Sequence, residues 1–472
     1  MELHPALFVD KYELTMAQTY FFSGRAELPA CFDYFFRTLP YEGGFLVFAG
    51  LGDLLELIEE FRFSQEDLAF LERDGFRSEF LSFLEGFSFR GSIYSFREGE
   101  IAFPHEPILR VEGSLLETQL IETLLLAVLN FQSLIATKAA RVRLAAGERV
   151  VSDFGLRRAH GWGGIMASRA AVIGGCDSTS NMEAARRYGI PAVGTMAHSF
   201  VQSYDDELEA FREYARHNPD SCILLVDTYD TLGSGIPHAI TVAKELEAAG
   251  HRLRGIRIDS GDLAYLSRKA RRMLDEAGLT HVKIAVSNQL DERVVKSLLE
   301  QGAPIDIFGV GTRMVTGQPD AALDGVYKLS MCAGRPRMKI SNTIVKTTLP
   351  GRKRAVRYAN GDGGWVADGI LLTDEEGTHT IHHPYEPGKK LCVRDFETEE
   401  LHHLVMEEGR RVGPAPTVQE IARYARERLA ALPPEYKRFE YPHIYKVGVS
   451  RALRHLRDEL MAPYISREEE DV

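Results

Sequence analysis

The chain reads as an α/β protein whose centre is a βα barrel, and three observations point there. Short apolar runs end near Phe154 (VVSDF), Gly175 (AVIGG), Thr195 (PAVGT), Asp227 (ILLVD), Asp259 (GIRID), Ser287 (KIAVS) and Gly309 (IDIFG). They are separated by about 21, 20, 32, 32, 28 and 22 residues, the length of a βα unit. Between them lie stretches of helical periodicity at 205–217, 237–249, 262–277 and 291–301. Uninterrupted apolar runs suit strands buried on both faces of a parallel sheet. Seven in succession favour a barrel or partial barrel over an open sheet.

In chain order, residues 1–137 are expected to form an N-terminal α/β domain. It has aromatic-rich strands at 31–37 and 44–48 and amphipathic helices at 52–61 and 117–129. Residues 138–335 are assigned to the barrel. Residues 336–472 form a C-terminal segment broken into short strands and loops by PGRKR (350–354), HHPYEPGKK (382–390) and GPAP (413–416). A helix is expected at 418–431 and a solvated charged tail at 467–471.

Composition narrows the class of function. The 472 residues are 44% hydrophobic and 26% charged, ordinary for a globular protein. Acidic residues outnumber basic ones by 68 to 56, so the overall field repels nucleic acid and anionic membranes. The five cysteines are scattered and form no CxxC pair, which argues against a disulfide framework or a cysteine-rich zinc site. The N-terminal MELHPALFVDKYELT is charged where a secretory signal is apolar. The longest apolar stretches, such as 123–131, fall far short of the roughly 20 residues a membrane span needs. A cytoplasmic protein with no nucleic-acid or membrane partner is expected.

The chemistry is concentrated where the apolar runs end: DFGLRR, DSTSN, GTMAHS, DTYD, DSGD, SN and GVGT. In a βα barrel these positions converge on the C-terminal face, where active sites sit. A single polar strand end is commonly just a helix cap; seven on one face indicate a site. GVGT at 309–312 allows backbone N–H groups to approach a phosphate, with the Thr312 hydroxyl beside them, although a plain glycine turn reads the same way. RIDSGD puts Arg257 and Asp259 on one side of a strand end, as a structural ion pair or as a site for a ribose hydroxyl or carboxylate-bound Mg²⁺. His198, three residues past a strand end, could be a base, a metal ligand or a nucleophile oriented by an aspartate of DTYD. Phe154, Arg157 and Arg158 of DFGLRR suit a planar anion. No Walker motif, nucleophile elbow, dinucleotide fingerprint or HExxH is present, and DFG stands without the other kinase elements.

Together these segments resemble one family. DKYELTMAQ, FDYFFRTLPYEGGFLVFAGL, NFQSLIATKAAR, DFGLRRAHG, DSTSN, GTMAHSF, VDTYD, RIDSGDL, VSNQLDE, FGVGT and DGVYKL follow the order seen in nicotinate phosphoribosyltransferases, over residues 8–330. The resemblance implies a type II phosphoribosyltransferase: an irregular TIM-like βα barrel packed on an α/β domain built from both chain ends, in a homodimer with shared sites. It implies formation of nicotinate mononucleotide and diphosphate from nicotinate and 5-phosphoribosyl 1-diphosphate, as in NAD salvage. Mg²⁺ assists, and ATP hydrolysis is coupled through a phosphohistidine, hence a ligase classification.

Carried over by position, His198 is the phosphorylated histidine and Asp227 its orienting carboxylate. Tyr12, Phe154, Arg157, Ser180, Thr195 and Arg257 are implied contacts of nicotinate, Tyr12 reaching in from a partner subunit. Asp259, Ser287, Asn288, Gly311 and Thr312 are implied contacts of phosphoribosyl diphosphate, with Mg²⁺ near Asp259. Zinc, haem and flavin are not expected. Ser180 is aligned where nicotinamide enzymes carry an aspartate, and its alternative role is the N-cap of the helix that follows. The alternatives weighed are a nicotinamide phosphoribosyltransferase, a quinolinate phosphoribosyltransferase, a phosphate-binding aldolase or isomerase barrel, and a non-catalytic phosphate-metabolite-binding barrel. Quinolinate enzymes are shorter and lack the MAHSF histidine. Lys283 lies at a strand start, on the wrong face for a Schiff base.

Overall fold

A computed structural model describes residues 5–468, except Asn342, Ile344, Val345, Asp362 and Pro387. The first four residues of the N-terminal segment, Pro387 of HHPYEPGKK and the end of the 467–471 charge run therefore lie outside the described residues. The chain forms two compact units, Ile135–Ala321 and a second that joins Met1–Leu134 to Ala322–Val472.

The Ile135–Ala321 unit is built on a six-stranded parallel sheet. Its order is Ser178–Thr179, Val150–Asp153, Ile307–Val310, Lys283–Ser287, Gly255–Ile258 and Ile223–Leu225. Every pairing is parallel. Helices Glu207–His217, Ile236–Ala248, Leu263–Glu276 and Glu292–Glu300 lie within a residue or two of their expected positions. The sheet is curved. Thr195, beyond its first edge, accepts a hydrogen bond at 2.5 Å from Arg257, on the strand next to its last. This is the α/β architecture expected, with an incomplete barrel in place of a closed ring.

Two of the seven expected strands differ. The apolar run 171–175 is not a strand but the end of helix Gly163–Ile173, whose residues Ala167–Ile173 are all buried. The strand that pairs there is Ser178–Thr179, short and polar, so hydrophobicity does not mark it. The run 191–195 contributes one parallel bridge, Thr179 to Ala192, beside Pro191, which has no N–H to give to a ladder. The expected barrel limit at 335 is also too late. Gly325–Cys332 pairs antiparallel with Pro29–Phe36 and belongs to the other unit.

That second unit draws on both ends of the chain. Its antiparallel sheet runs Arg335–Pro336, Gly325–Cys332, Pro29–Phe36, Leu109–Ser114, Ser92–Ser95, His403–Glu407 and Arg410–Arg411. A further six-stranded sheet holds the remaining C-terminal strands, and helix Val418–Ala431 matches its expected bounds. Aromatic and aliphatic side chains such as Tyr34, Phe36, Phe80 and Leu124 fill the core.

Helix Glu122–Ala146 is longer than the apolar stretch noted at 123–131. By length and composition alone it could cross a membrane, with a mean hydropathy of 1.4, but 72% of its most apolar window is buried in protein. It is a core helix by its surroundings. Near its end, Lys138 and Arg141 reach the buried Glu292 carboxylate, at 2.5 and 2.9 Å, and so tie it to helix Glu292–Glu300 of the same unit. The three side chains are no more than 3% exposed. Burial pulls Lys138 below its ordinary value, and Glu292 opposes that pull. Glu292→Leu is therefore expected to destabilise the chain by about 3–5 kcal/mol in urea unfolding, because it removes the anion that two buried cations share.

Candidate active site

The carboxyl ends of the parallel strands surround a cavity of about 440 Å³, the size of a small-molecule site. Phe154, Arg157, Ser180, Thr195, Arg257, Asp259, Ser287, Asn288, Gly311 and Thr312 all line it. These residues come from segments up to 158 positions apart (154 to 312), and the convergence of strand ends brings them together. Arg158, Gln289 and Gly309 also line the wall.

Asp259 is the hub. Its Oδ1 accepts a hydrogen bond from Ser287 Oγ at 2.5 Å. Its Oδ2 lies 3.9 Å from His198 Nε2 and 4.0 Å from Arg257 Nη2. Its backbone N–H donates to Asp227 Oδ2 at 2.8 Å, and Ser260 Oγ donates to the same oxygen at 2.6 Å. Asp227 thus braces the Asp259 turn. His198 finds a different partner from the one expected: its Nδ1 is 3.1 Å from the Thr228 hydroxyl, and no His198–Asp227 hydrogen bond occurs among the described residues. Asp227 and Thr228 are consecutive, so one is turned toward Asp259 and the other toward the imidazole. Asp227 Oδ1 is buried and lacks a hydrogen-bond partner among the described residues.

Arg257 is mostly sequestered, its side chain 14% exposed. Burial pulls its guanidinium below the ordinary value, against the attraction of Asp259 and Asp227, and neighbouring Arg157 pulls the same way as burial. Its Nε is buried and makes no hydrogen bond among the described residues. A guanidinium stays charged in such a place, so Arg257 is a cation short of anionic partners. With Arg157 and Arg158, three guanidinium groups face one lining carboxylate, a positive focus in a protein of net charge −12.

The DFG segment is shaped by Asp153. Its buried carboxylate accepts from Ser168 Oγ and Thr179 Oγ1, both at 2.7 Å, and from the Gly155 N–H at 2.8 Å. Burial pushes this carboxyl up, and those three donors hold it down in part. The network fixes the turn that presents Phe154. The Phe154 ring lies against Gly309, where an added Cβ would come within 2.5 Å of two ring carbons. Glycine at 309 is therefore a requirement of the ring's position.

The GVGT turn offers three successive backbone N–H groups, of Gly311, Thr312 and Arg313, that have no hydrogen-bond acceptor among the described residues. Arg313 is itself anchored to Asp291, the N-cap of helix Glu292–Glu300. Opposite, Asn288 and Gln289 both take positive φ, +94° and +45°, an unusual pair for non-glycine residues and one that clusters at ligand-binding turns.

Ser180 is not a cap. Asn181 caps helix Met182–Tyr188 through Ala184 N–H, which leaves the Ser180 hydroxyl on the cavity wall. Tyr12 belongs to the other unit. It is exposed on helix Lys11–Phe22, where burial first and then Glu122, Glu13 and Asp10 raise its phenol above the ordinary value. Asp153, Thr228 and Gly309 fall in the DFG, DTYD and GVGT segments, but their individual roles depend on contacts with residues distant in the chain and leave no separate mark in the sequence.

Three family profiles match the chain. That described as the nicotinate phosphoribosyltransferase N-terminal domain covers residues 7–130, that of the nicotinate phosphoribosyltransferase family 150–389, and that of the C-terminal domain 352–457. A nicotinate phosphoribosyltransferase of Bacillus subtilis is 45% identical over 458 residues, 94% of this chain and 93% of the relative. The chain belongs to the nicotinate phosphoribosyltransferase family. The human nicotinate phosphoribosyltransferase is 34% identical over 519 residues, 97% of this chain and 96% of its own length. A crystal structure of human nicotinic acid phosphoribosyltransferase superposes with a TM-score of 0.87 at 33% identity, over 96% of this chain and 99% of that one. A nicotinate-nucleotide pyrophosphorylase of Pyrococcus furiosus superposes with a TM-score of 0.71 at 25% identity, over 90% and 94%.

A nicotinate phosphoribosyltransferase that relies on Phe154 against Gly309 should not tolerate a methyl group there. Gly309→Ala is expected to cost about 1–3 kcal/mol of stability by overpacking. Urea unfolding of the variant beside the parent reads this cost.

Proposed function

We propose that the barrel-end cavity joins nicotinate to 5-phosphoribosyl 1-diphosphate, releasing diphosphate, and that ATP hydrolysis drives the reaction through a phosphohistidine at His198. The observation that carries this reading is the pairing, in one cavity, of a buried under-compensated Arg257 with a turn of free backbone N–H groups at Gly311–Arg313. The first suits a carboxylate, the second a phosphate.

The transfer itself needs no proton movement. The pyridine nitrogen attacks C1 of the phosphoribosyl group with its lone pair, the C1–O bond to diphosphate breaks, and diphosphate leaves with the electron pair. Catalysis therefore comes from positioning and charge. The nicotinate carboxylate meets Arg257, with Thr195 and Ser180 as hydroxyl neighbours, and the ring stacks on Phe154. The 5-phosphate is held at Gly311, Thr312 and Arg313. Asp259 and Ser287, with Asn288, face the ribose. Mg²⁺ fits this donor set: Asp227 Oδ1 is a buried oxygen without a partner among the described residues, Asp259 lies beside it, and one or two carboxylates plus phosphate oxygens suffice for this ion. When bound, it would neutralise charge on the diphosphate.

For the ATP half-reaction, Thr228 fixes the imidazole. With the Nδ1 proton donated to Thr228 Oγ1, Nε2 keeps its lone pair and faces the Asp259 side of the cavity. Nε2 attacks the γ-phosphorus of ATP, ADP departs with the electron pair, and water later cleaves the P–N bond. On this reading Tyr12 serves the site of a partner subunit, the chain works as a cytoplasmic homodimer, and its product enters NAD synthesis.

Chromatography of products formed from nicotinate and phosphoribosyl diphosphate, with and without ATP, tests the whole reading. Two variants test its parts. His198→Ala is expected to abolish both ATPase activity and ATP stimulation while preserving the fold. Acid-labile, base-stable phosphate still acquired by that variant would overturn the assignment.

The second variant concerns selectivity for the acid over the amide. A carboxylate at 180 would face the nicotinate carboxylate. Two such charges about 4 Å apart repel by roughly 4 kcal/mol at an effective dielectric near 20, and a third of that is about tenfold. Ser180→Asp should therefore lower kcat/KM for nicotinate by about tenfold or more and leave nicotinamide little affected. An unchanged ratio of the two would place selectivity elsewhere.

A further inference from the structure

The protein carries a second concentration of positive charge, in the unit that does not contain the barrel. Strands Thr380–His382 and Lys390–Cys392 pair antiparallel, with His382 directly opposite Lys390. Ile381 turns into the core, so Thr380 and His382 share the other face, beside helix Arg451–Glu468. There Arg451 and Arg454 join Lys390 around an open groove of about 540 Å³.

The arrangement is electrostatically unfavourable as it stands. Lys390 lies opposite His382, and two guanidinium groups from the helix join it, so three like charges share one groove. Asp458 is the one carboxylate lining the groove among the described residues. Arg457 engages it at 2.7 Å, and Arg454 lies 3.6 Å away. Lys390 and Arg451 have no ion-pair partner among the described residues. Burial first, and then Arg454, Lys390 and Arg451, pull the His382 imidazole below its ordinary value. Arg454 Nη1 donates to His382 Nδ1 at 3.2 Å, so the neutral ring carries its proton on Nε2 as a further donor. Cations elsewhere on this acidic protein are commonly matched, as Arg212 is by Glu245 and Lys283 by Asp306. Here an excess of them converges without matching carboxylates.

We propose that this groove binds a small anion carrying several linked phosphate groups. Three cations, one on a strand and two on a helix, match a chain of phosphates better than a single one, and the groove has room for it. Bound there, the anion supplies the negative charge that the cluster lacks. A polyphosphate held in this groove, whose lining belongs to the unit without the barrel cavity, would act as an effector.

Isothermal titration of the full chain with inorganic tripolyphosphate, in metal-free buffer at low salt, tests this. Lys390→Gln/Arg451→Gln removes two exposed side chains that make no ion pair among the described residues, and its unfolding temperature should be no lower than that of the parent. The expected result is a class of binding in the parent that the double variant loses, or whose affinity it weakens about tenfold or more. Added salt should weaken the same class in the parent. ATP and ADP serve as parallel probes. Equal affinity for tripolyphosphate and ATP assigns recognition to the phosphate chain, and tighter binding of ATP assigns the effector to the nucleotides. Absence of binding in the parent, or unchanged stoichiometry and affinity in the double variant, would overturn the proposal.

Discussion

An arginine held largely out of water without enough negative charge around it is the constraint on which the barrel site depends. Arg257 sits near the end of strand Gly255–Ile258 with a buried Nε that makes no hydrogen bond among the described residues. Its nearest carboxylate, on Asp259, is 4.0 Å away and is shared with Ser287 and the His198 imidazole. A cation so placed raises the free energy of the empty site and lowers that of any complex that brings a carboxylate to it. The surrounding structure can be understood as what keeps Asp259 from collapsing onto Arg257. Asp227 grips the Asp259 backbone and Ser260, and Ser287 grips the carboxylate.

The polar residues that follow each strand divide into two tasks. Those at the strand end itself build the site: Phe154, Asp259, Ser287 and the GVGT turn line the cavity, while Asp153, Asp227 and Thr228 hold the DFG turn, the Asp259 turn and the His198 ring. Those a few residues later cap the next helix. Asn181, Asp262 and Asp291 each accept a backbone N–H in the first turn, as do Asp206 and Asp230. Capping holds each helix start in register with its strand, and so fixes the strand-end side chains that the chemistry needs.

This division explains what could be read from the sequence. The runs ending at Phe154, Asp227, Asp259, Ser287 and Gly309 are apolar and buried on both faces, so they are visible as strands, and their ends mark the cavity. Ser178–Thr179 is invisible to the same reasoning because it is two residues long and polar, its burial made tolerable by bonds to Ser152 and Asp153. The run 171–175 is apolar for a different reason, since it packs as a helix end. Resemblance supplied the His198–Asp227 pairing, and the geometry differs: Thr228, the next residue, faces the ring. The positive φ angles at Asn288 and Gln289 have no counterpart in residue type, because neither position is a glycine. They arise from the turn between Ser287 and the Asp291 cap.

The central claim is that one cavity binds both the pyridine carboxylate and the ribose phosphate, at Arg257 and at Gly311–Arg313 respectively. Crystallography of the chain with nicotinate mononucleotide tests it most directly. The account predicts the pyridine ring on Phe154, its carboxylate on Arg257 and the phosphate against the backbone N–H groups of Gly311, Thr312 and Arg313. Density for the nucleotide away from the barrel-end cavity, or in it with phosphate at Arg257 and the ring elsewhere, would contradict it.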